Sequence, residues 1–439
     1  MQKLNESVVT SIKNKINYFG DRSNLHGVGH VVSQTPIPGF KRLFWLTILV
    51  GCGVGCGRIL SEALGLYTQG SVSFSADTNY LTFDTPFPAI TLCEGFDTTR
   101  LTEYITVKEL PPTLTPFFKE VFFYNNKYCK TCMTCKMNST CVENFLELVK
   151  DYRLACEEML TECWWGEQHF KCCDRFRPIQ TEYGGCFVFN SRSRLTSNES
   201  MLVVNRQVGL PSLVFTAIRT VSIRVHSPDD EVSIKTDRVS EKVDLIVLAS
   251  EVNVTLKAEA TTSDVSINLL DPVKRGCLLV HEKPAFAQHW PFPRYSYNAC
   301  VLYCRAMKQV EVCNCTHHFM PQQNGIDVCD IQGLACLYKN RDELILNYNC
   351  GCPMACEEIN YETLYTTYNR KTNLSNKVVR ASRVLVRLHS LPTLRVRRHA
   401  IRDLLGVVVD VGGVGGVFFG ASLLSVIEIV YLLCLRRET

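Results

Sequence analysis

The sequence lacks an excess of charge of either sign. Its 439 residues carry 47 Lys and Arg against 43 Asp and Glu, a formal net charge of +4. That balance leaves no electrostatic footprint for nucleic acid, and no nucleic-acid partner is expected. The first 39 residues lack an apolar run, so no cleaved leader is expected there. They are polar, with Lys3, Lys13, Lys15 and Arg22. Internal repeats and low-complexity linkers are also missing. Support for an enzyme is the weakest of all. His317-His318 next to Cys315 could suggest metal or nucleophile chemistry, but reads more plainly as a surface loop beside a disulfide.

Cysteine, in contrast, is abundant. Of 23 cysteines, Cys52, Cys56 and Cys434 lie in or beside apolar stretches, and the other 20 lie between Cys93 and Cys356. Dense, even usage argues for an oxidising compartment and a disulfide framework. Zinc is the rival reading, since Cys129-x2-Cys132-x2-Cys135 and Cys313-x-Cys315 have ligand-like spacing. Sequons at Asn138, Asn198, Asn253, Asn314 and Asn373 fit an extracellular surface and favour disulfides, with no structural metal.

Two apolar stretches lie near the ends. Residues 404–435 read LLGVVVDVGGVGGVFFGASLLSVIEIVYLLCL. At ~1.5 Å per residue a helix this long exceeds the ~30 Å hydrocarbon core, so it can span with tilt or a break. Asp410 and Glu428 are 18 residues apart and would share one face of an unbroken helix. Gly412, Gly416 and Gly420 recur every fourth residue, with Gly413 beside them, the small-residue spacing of close membrane-helix packing. An acidic face and a glycine face on one helix suggest an ion path lined by several copies. The plainer alternative is a tail anchor with chance carboxylates. Residues 40–62 form the first stretch, whose core FWLTILVGCGVGCG is rich in small residues, as at a helix–helix interface. A buried soluble helix would be its alternative.

Lys41 and Arg42 stand at the start of the first stretch, ahead of its apolar core, and Arg436 and Arg437 follow the last, which places both termini in the cytoplasm. The cluster Arg395, Arg397, Arg398 and Arg402 cuts against this, but long translocated domains obey charge bias less strictly. The expected plan is a cytoplasmic 1–39, a spanning helix 40–62, an extracellular 63–403, a second span 404–435 and a cytoplasmic 436–439. Within the large loop, 87–93 reads as an extended entry and 100–175 as helix-prone. Residues 181–190 read as a turn feeding a strand. Residues 221–226, 243–254 and 378–388 alternate as strands do, and one sheet joining them would tie the two ends of the loop together. Residues 277–356 read as disulfide-stapled helices and loops. The fold class is therefore two transmembrane helices flanking a large disulfide-rich α+β extracellular domain.

Taken together, several stretches resemble the degenerin and epithelial sodium channel family. Leu25-His26-Gly27 looks like its His-Gly gating motif, FPAITLC its post-membrane signature, and TEYGGCFVFN its T-x-x-G-x-C-x-x-F-N motif. YSYNACVLYCRAMKQVEVCNC, CGCPMAC and Tyr361 resemble its second cysteine-rich block. Asp410-Val-Gly-Gly, Gly420-Ala421-Ser422 and Glu428 resemble its second span, and CNCTHHFMPQQNGIDVCD looks most like the arthropod pickpocket branch.

The resemblance implies a homo- or heterotrimer in the plasma membrane, multi-pass, surrounded by lipid, sodium-selective and blocked by amiloride-type compounds. No cofactor is implied beyond sodium as the permeant ion. Gly420, Ala421 and Ser422 would match the selectivity filter, and His26 and Gly27 a re-entrant gating element at the cytoplasmic end of the pore. The extracellular domain would hold a β-sheet palm and β-ball core with helical finger and thumb elements. Asp410 would ring the outer mouth and concentrate cations. Glu428 reads either as a second pore group below the filter or as a structural partner of the neighbouring spans.

Val409 departs from the family, where this gating position is usually small. A branched side chain at a tight three-fold crossing predicts a raised resting open probability or a differently packed gate. The short tail after residue 435 and the basic run TLRVRRHAIRD before the second span are further departures. Two other functions share features with the chain: a two-span ATP-gated type of cation channel, and a non-channel cysteine-rich adhesion or scavenger receptor.

Overall fold

A computed structural model describes residues 23–32, 38–70, 72–123, 128–136, 139–197, 199–234, 241–245, 250–321, 325–345, 350–370, 381–401 and 404–431. The sequons at Asn138, Asn198 and Asn373, the residues Arg402, Cys434, Arg436 and Arg437, and the basic residues before Ser23 lie outside these. The chain divides into two compact units. One comprises 1–73, 264–275 and 399–439, the other 74–263 and 276–398.

The larger unit is built on two sheets. In the eight-stranded sheet, Ser250–Ser263 runs parallel to Ser382–Leu388, pairing Val252 with Val384 and Val254 with Val386. Its other edge pairs antiparallel with Glu358–Arg370. The alternation in sequence sends Val252, Val254, Leu256, Val384 and Val386 inward, all fully buried. In the five-stranded antiparallel sheet the order is Glu241–Leu245, Val221–His226, Ala89–Glu94, Gly184–Phe189, Arg177–Thr181. One core cluster draws Ile90, Leu92, Phe189 and Ile223 from this sheet and Phe215, Val252 and Val384 from the other.

The expected single sheet is thus divided. Residues 241–245 pair with Val221–His226, whereas Ser250–Ser263 joins the larger sheet. Alternation reports which face a residue takes, not which strand it pairs with. The helix-prone stretch 100–175 supplies the helices Thr98–Val107, Thr115–Phe122 and Phe145–Tyr152, but also the strands Leu160–Trp165 and Gln168–Phe170. The three helices meet the helix Ile331–Lys339 in a second core around Phe117, Phe118, Phe122, Tyr152, Leu334 and Leu337.

All 20 cysteines between Cys93 and Cys356 form ten disulfides, and no group of metal-ligating side chains occurs among the described residues. The zinc-like spacings are Cys129–Cys132, Cys135–Cys141, Cys313–Cys336 and Cys315–Cys329 bonds. On the helix Tyr297–Cys313, Cys300 and Cys304 are one turn apart on one face. They bond Cys352 and Cys350, two residues apart, so the chain returns antiparallel along the helix. Cys93 and Cys186 sit opposite one another in adjacent strands and are bonded.

The smaller unit contains the helix Gly39–Gln69, long and apolar enough to cross a membrane with a mean hydropathy of 1.8. It runs seven residues past the expected end at 62 and stops at Gly70, whose φ of +63° closes the helix as glycine does best. The second apolar stretch is two helices, Leu404–Phe419 and Leu423–Val430. The unbroken helix that would align Asp410 with Glu428 does not form. Cys52 and Cys56, on the first helix, are unbonded.

Candidate ion pathway

The break between the two distal helices is written in three residues. Gly420 ends the first at φ +63°, and its N–H donates to the Gly416 carbonyl at 2.8 Å, closing the last turn in the left-handed manner. Ala421 N–H reaches back to the Gly415 carbonyl at 3.2 Å. Ser422 starts the next helix: its Oγ accepts from Ser425 N–H at 3.3 Å, while Ser425 Oγ accepts from Ser422 N–H at 3.1 Å. That reciprocal pair is a capping box with serine in both roles. Gly-Ala-Ser is therefore a helix stop followed at once by a helix start.

A helix end leaves carbonyls without intrahelical partners. One of them, Phe419 C=O, accepts from His26 N–H at 3.0 Å. The His26 ring lies flat against Gly420, where a Cβ would come within 2.0 Å of His26 Nδ1. Glycine is needed here twice, for its backbone conformation and for this approach. Gly27, at φ +84°, turns the chain beside Trp45 and Leu49 of the first helix, and His30 stacks on Trp45 at 4.8 Å. Asn24 Nδ2 donates to Glu428 Oε2 at 3.1 Å. The structure thus brings His26, Gly27, Gly420 and Glu428 together. Of the two readings of Glu428, a hydrogen-bonded partner is seen within the single chain.

Asp410 and Val409 lie apart from this cluster, in the second turn of Leu404–Phe419. Val407 is buried, while Val408 and Val409 are more than 60% exposed and turn away from the rest of the chain. A Cβ on Gly412 or Gly413 would meet nothing within 4 Å, and one on Gly416 would meet only the Ala421 carbonyl, at 3.6 Å. The packing between the two long helices instead uses Gly55, whose Cβ would come within 3.0 Å of the Phe418 ring. Sequence reasoning missed Asn24, Phe418 and Ser425. Gly55 carried a signal in the small-residue run of the first helix; Asn24 carried none.

The larger unit holds buried titratable groups. Asp230 follows the strand Val221–His226 and is wholly buried, where it accepts from the Asn298 side chain. Burial pushes its carboxyl up to about 7, with the nearby Glu358 charge adding to the shift, and burial pushes Glu231 up to about 7 also. Glu358 is itself raised by burial. Its neighbour in sequence to Asp230, Asp229, instead pairs with Arg192 at 2.6 Å and Arg294 at 2.8 Å. His317 and His318 are not on a surface loop. They are buried and stacked at 4.2 Å, and His318 Nε2 meets the Val121 carbonyl at 2.8 Å. Burial pulls His318 down to about 4 and also lowers His317 well below the usual imidazole value, so both are neutral packing groups with no nucleophile between them.

The family model described as amiloride-sensitive sodium channel matches residues 19–432. The sodium channel protein Nach of Drosophila melanogaster is 26% identical over 65% of this chain and 59% of its own length. Pickpocket protein 11 of the same organism is 22% identical over 99% of this chain and 79% of its own length. The human bile acid-sensitive ion channel is 25% identical over 58% of this chain and 53% of its own length. The match thus spans about three-fifths of the Drosophila melanogaster Nach protein and about half of the human one. Family members are membrane proteins and ion channels, not enzymes. With a model covering nearly every residue, and insect relatives of the Nach and pickpocket kind, the chain belongs to the amiloride-sensitive sodium channel family.

Proposed function

We propose that the chain is a subunit of a trimeric, sodium-selective, amiloride-sensitive channel of the plasma membrane, with both termini cytoplasmic and the cysteine-rich unit outside. Three copies of the distal helices surround the pore, with lipid around them. Gly420, Ala421 and Ser422 form the filter, Asp410 the outer mouth, and the Asn24–Glu428 pair and His26-Gly27 the cytoplasmic end. The observation that carries this reading is the packing of His26 on Gly420. It joins the cytoplasmic motif to the break, among the described residues, between the two distal helices, where the Phe419 carbonyl accepts from His26 N–H. Gly412 and Gly413 face open space in one chain, Gly416 meets only the Ala421 carbonyl, and all three are assigned to packing between copies. No cofactor takes part; sodium is the permeant ion.

The test is expression in oocytes, with current recorded in sodium and in a large organic cation under acid, peptides, bile acid, ATP and stretch. A sodium current abolished by amiloride supports the reading. Surface protein with no current under any stimulus overturns it in favour of an adhesion receptor, and a current opened by ATP alone favours the ATP-gated type. Val409 belongs to the same test. With its side chain turned outward, Val409→Ala is expected to lower the resting current several-fold by restoring the small side chain the closed gate packs around. An unchanged resting current removes Val409 from the gate.

A further inference from the structure

Residues 264–275 belong to the smaller unit, with the two apolar helices. The segment folds as two single turns, Val265–Asn268 and Pro272–Arg275. Asp264 Oδ1 caps the first by accepting from Ser266 N–H at 3.0 Å, and Asp271 Oδ1 caps the second by accepting from Val273 N–H at 2.9 Å. Ile267 points inward and is fully buried. Every fourth residue points outward instead: Val265 and Leu269 are 75% exposed and Val273 is 90% exposed. Three large aliphatic side chains on one short segment, presented to the outside, are not the scattered single apolar residues of an ordinary surface.

The segment touches the end of the first apolar helix and the strand residue that leads into the second. A Cβ on Gly70, the residue that closes Gly39–Gln69, would lie 2.7 Å from Lys274 Cβ, so the lysine stem packs directly on the helix end. Ala400 N–H, four residues before Leu404, donates to Ser266 Oγ at 3.1 Å. The 31 residues of Gly39–Gln69 measure roughly 46 Å at 1.5 Å per residue, close to the roughly 40–45 Å of a bilayer with its headgroups. Gly70, and with it the segment, then lies at headgroup level when Gly39 is at the opposite interface.

We infer that residues 264–275 form a membrane-dipping toe, with Val265, Leu269 and Val273 seated in the outer leaflet and Lys274 directed at lipid phosphate. The occupant of this apolar face is phospholipid. The argument is continuity: the face adjoins two helices whose own surfaces are apolar, and its cation lies where a long basic side chain reaches a headgroup with its stem covered. Because the toe packs on the end of one helix and is hydrogen-bonded to Ala400, four residues ahead of the other, lipid that grips it acts on both. The inference rests on the spanning reading proposed above.

The experiment uses the full chain in phosphatidylcholine vesicles, with a fluorescent amino acid inserted by stop-codon suppression at position 269. Val54, exposed on the first helix, and Val107, exposed on the cysteine-rich unit, are the reference positions. Quenching by 5-doxyl phosphatidylcholine is compared with quenching by aqueous iodide. The expected result is lipid quenching at 269 close to that at 54 and at least about twofold above that at 107, with iodide in the reverse order. Iodide quenching at 269 equal to that at 107 overturns the toe while quenching at 54 upholds the spanning helix. Shielding at 269 from both quenchers also overturns it, in favour of a second copy covering the face. Failure of lipid to quench position 54 removes the spanning reading and the toe with it. As a second variant, Val265→Asp with Val273→Asp is expected to reduce lipid quenching at 269 to the level of position 107 while leaving position 54 unchanged, and unchanged quenching at 269 counts against the toe.

Discussion

The two units are held together by different means. The cysteine-rich unit carries ten disulfides, two of which close loops of 79 and 93 residues. A loop of that size is worth about 4–5 kcal/mol of lost unfolded-state entropy in the chain-entropy account. Among the described residues the smaller unit has no disulfide, and the ties of His26 to Phe419, Asn24 to Glu428 and Ala400 to Ser266 are single hydrogen bonds, each worth about 1 kcal/mol net. Its close approaches are made at glycines: Gly55 on Phe418, Gly70 on Lys274, Gly27 on Leu49, and Gly420 on His26. Contacts at glycine interlock few side chains. One unit is built to keep a shape, and the other to admit small displacements of whole helices.

That contrast is broken most severely at Gly420. Gly420→Val is expected to abolish sodium current, because a branched residue is disfavoured at φ +63° and its Cβ collides with the His26 ring. Disulfide formation and delivery to the surface are expected to be unchanged. Adding His26→Ala removes the collision and leaves the backbone cost, so any current recovered measures the ring contact alone. Normal current in the single variant would show that the break tolerates a side chain and that the smaller unit is looser than described.

The next largest effect tests the rigid unit without touching a disulfide. Arg305 and Glu182 form an ion pair at 2.5 Å with both side chains 2% exposed. Glu182 stands in the TEYGGC turn and also accepts from Ile234 N–H at 2.7 Å and Ser233 Oγ at 3.2 Å. Arg305→Met strands that carboxylate and is expected to cost about 3–5 kcal/mol, read as a fall in the thermal midpoint of the purified chain. Glu182→Met added to it recovers only part, because the Ile234 and Ser233 donors are then orphaned. No shift in midpoint would mean that the disulfides alone hold the helix Tyr297–Cys313 in place.

How far the sequence could be read follows the same division. The even cysteine count announced the framework, and 277–356 read as disulfide-stapled helices and loops; that Cys300 and Cys304 share a helix face emerged only with the fold. Neither could name Cys352 and Cys350 as partners, because pairing is a property of the folded path. The alternation in 243–254 was visible, but the passage from one sheet to another within it was not. Gly420 and Ser422 carry the residue types of a helix stop and a helix start, so the break was legible in outline. Asn24 on Glu428 was not, since 404 residues separate them. His317-His318 looked like surface because two adjacent polar residues usually are; their burial depends on a core assembled from distant helices.

The smallest expected effect concerns pH, and it belongs wholly to the cysteine-rich unit. Asp230 and Glu231 are raised to about 7 in the folded chain, against roughly 4 when unfolded. Between those values the folded form keeps protons the unfolded form has lost. Their stabilising contribution is therefore full below pH ~4 and is lost as pH rises through ~7. The buried histidines run the other way. His226 and His318 are lowered to about 4, and His317 is lowered too. Unfolded imidazoles take up protons below pH ~6.5, so that contribution is present above ~6.5 and is lost as pH falls. The two sets balance near ~6.5, whereas above it the carboxyls outweigh the histidines. The thermal midpoint should therefore fall from about pH 6.5 to 8 and change little just below 6.5. Asp230→Asn keeps an acceptor for the Asn298 amide and removes one titrating group, so it should flatten or reverse the alkaline limb. A midpoint that climbs from pH 6.5 to 8, or an Asp230→Asn limb as steep as the parent's, would show that these carboxyls are ionised where they are buried, with a compensating charge brought to them.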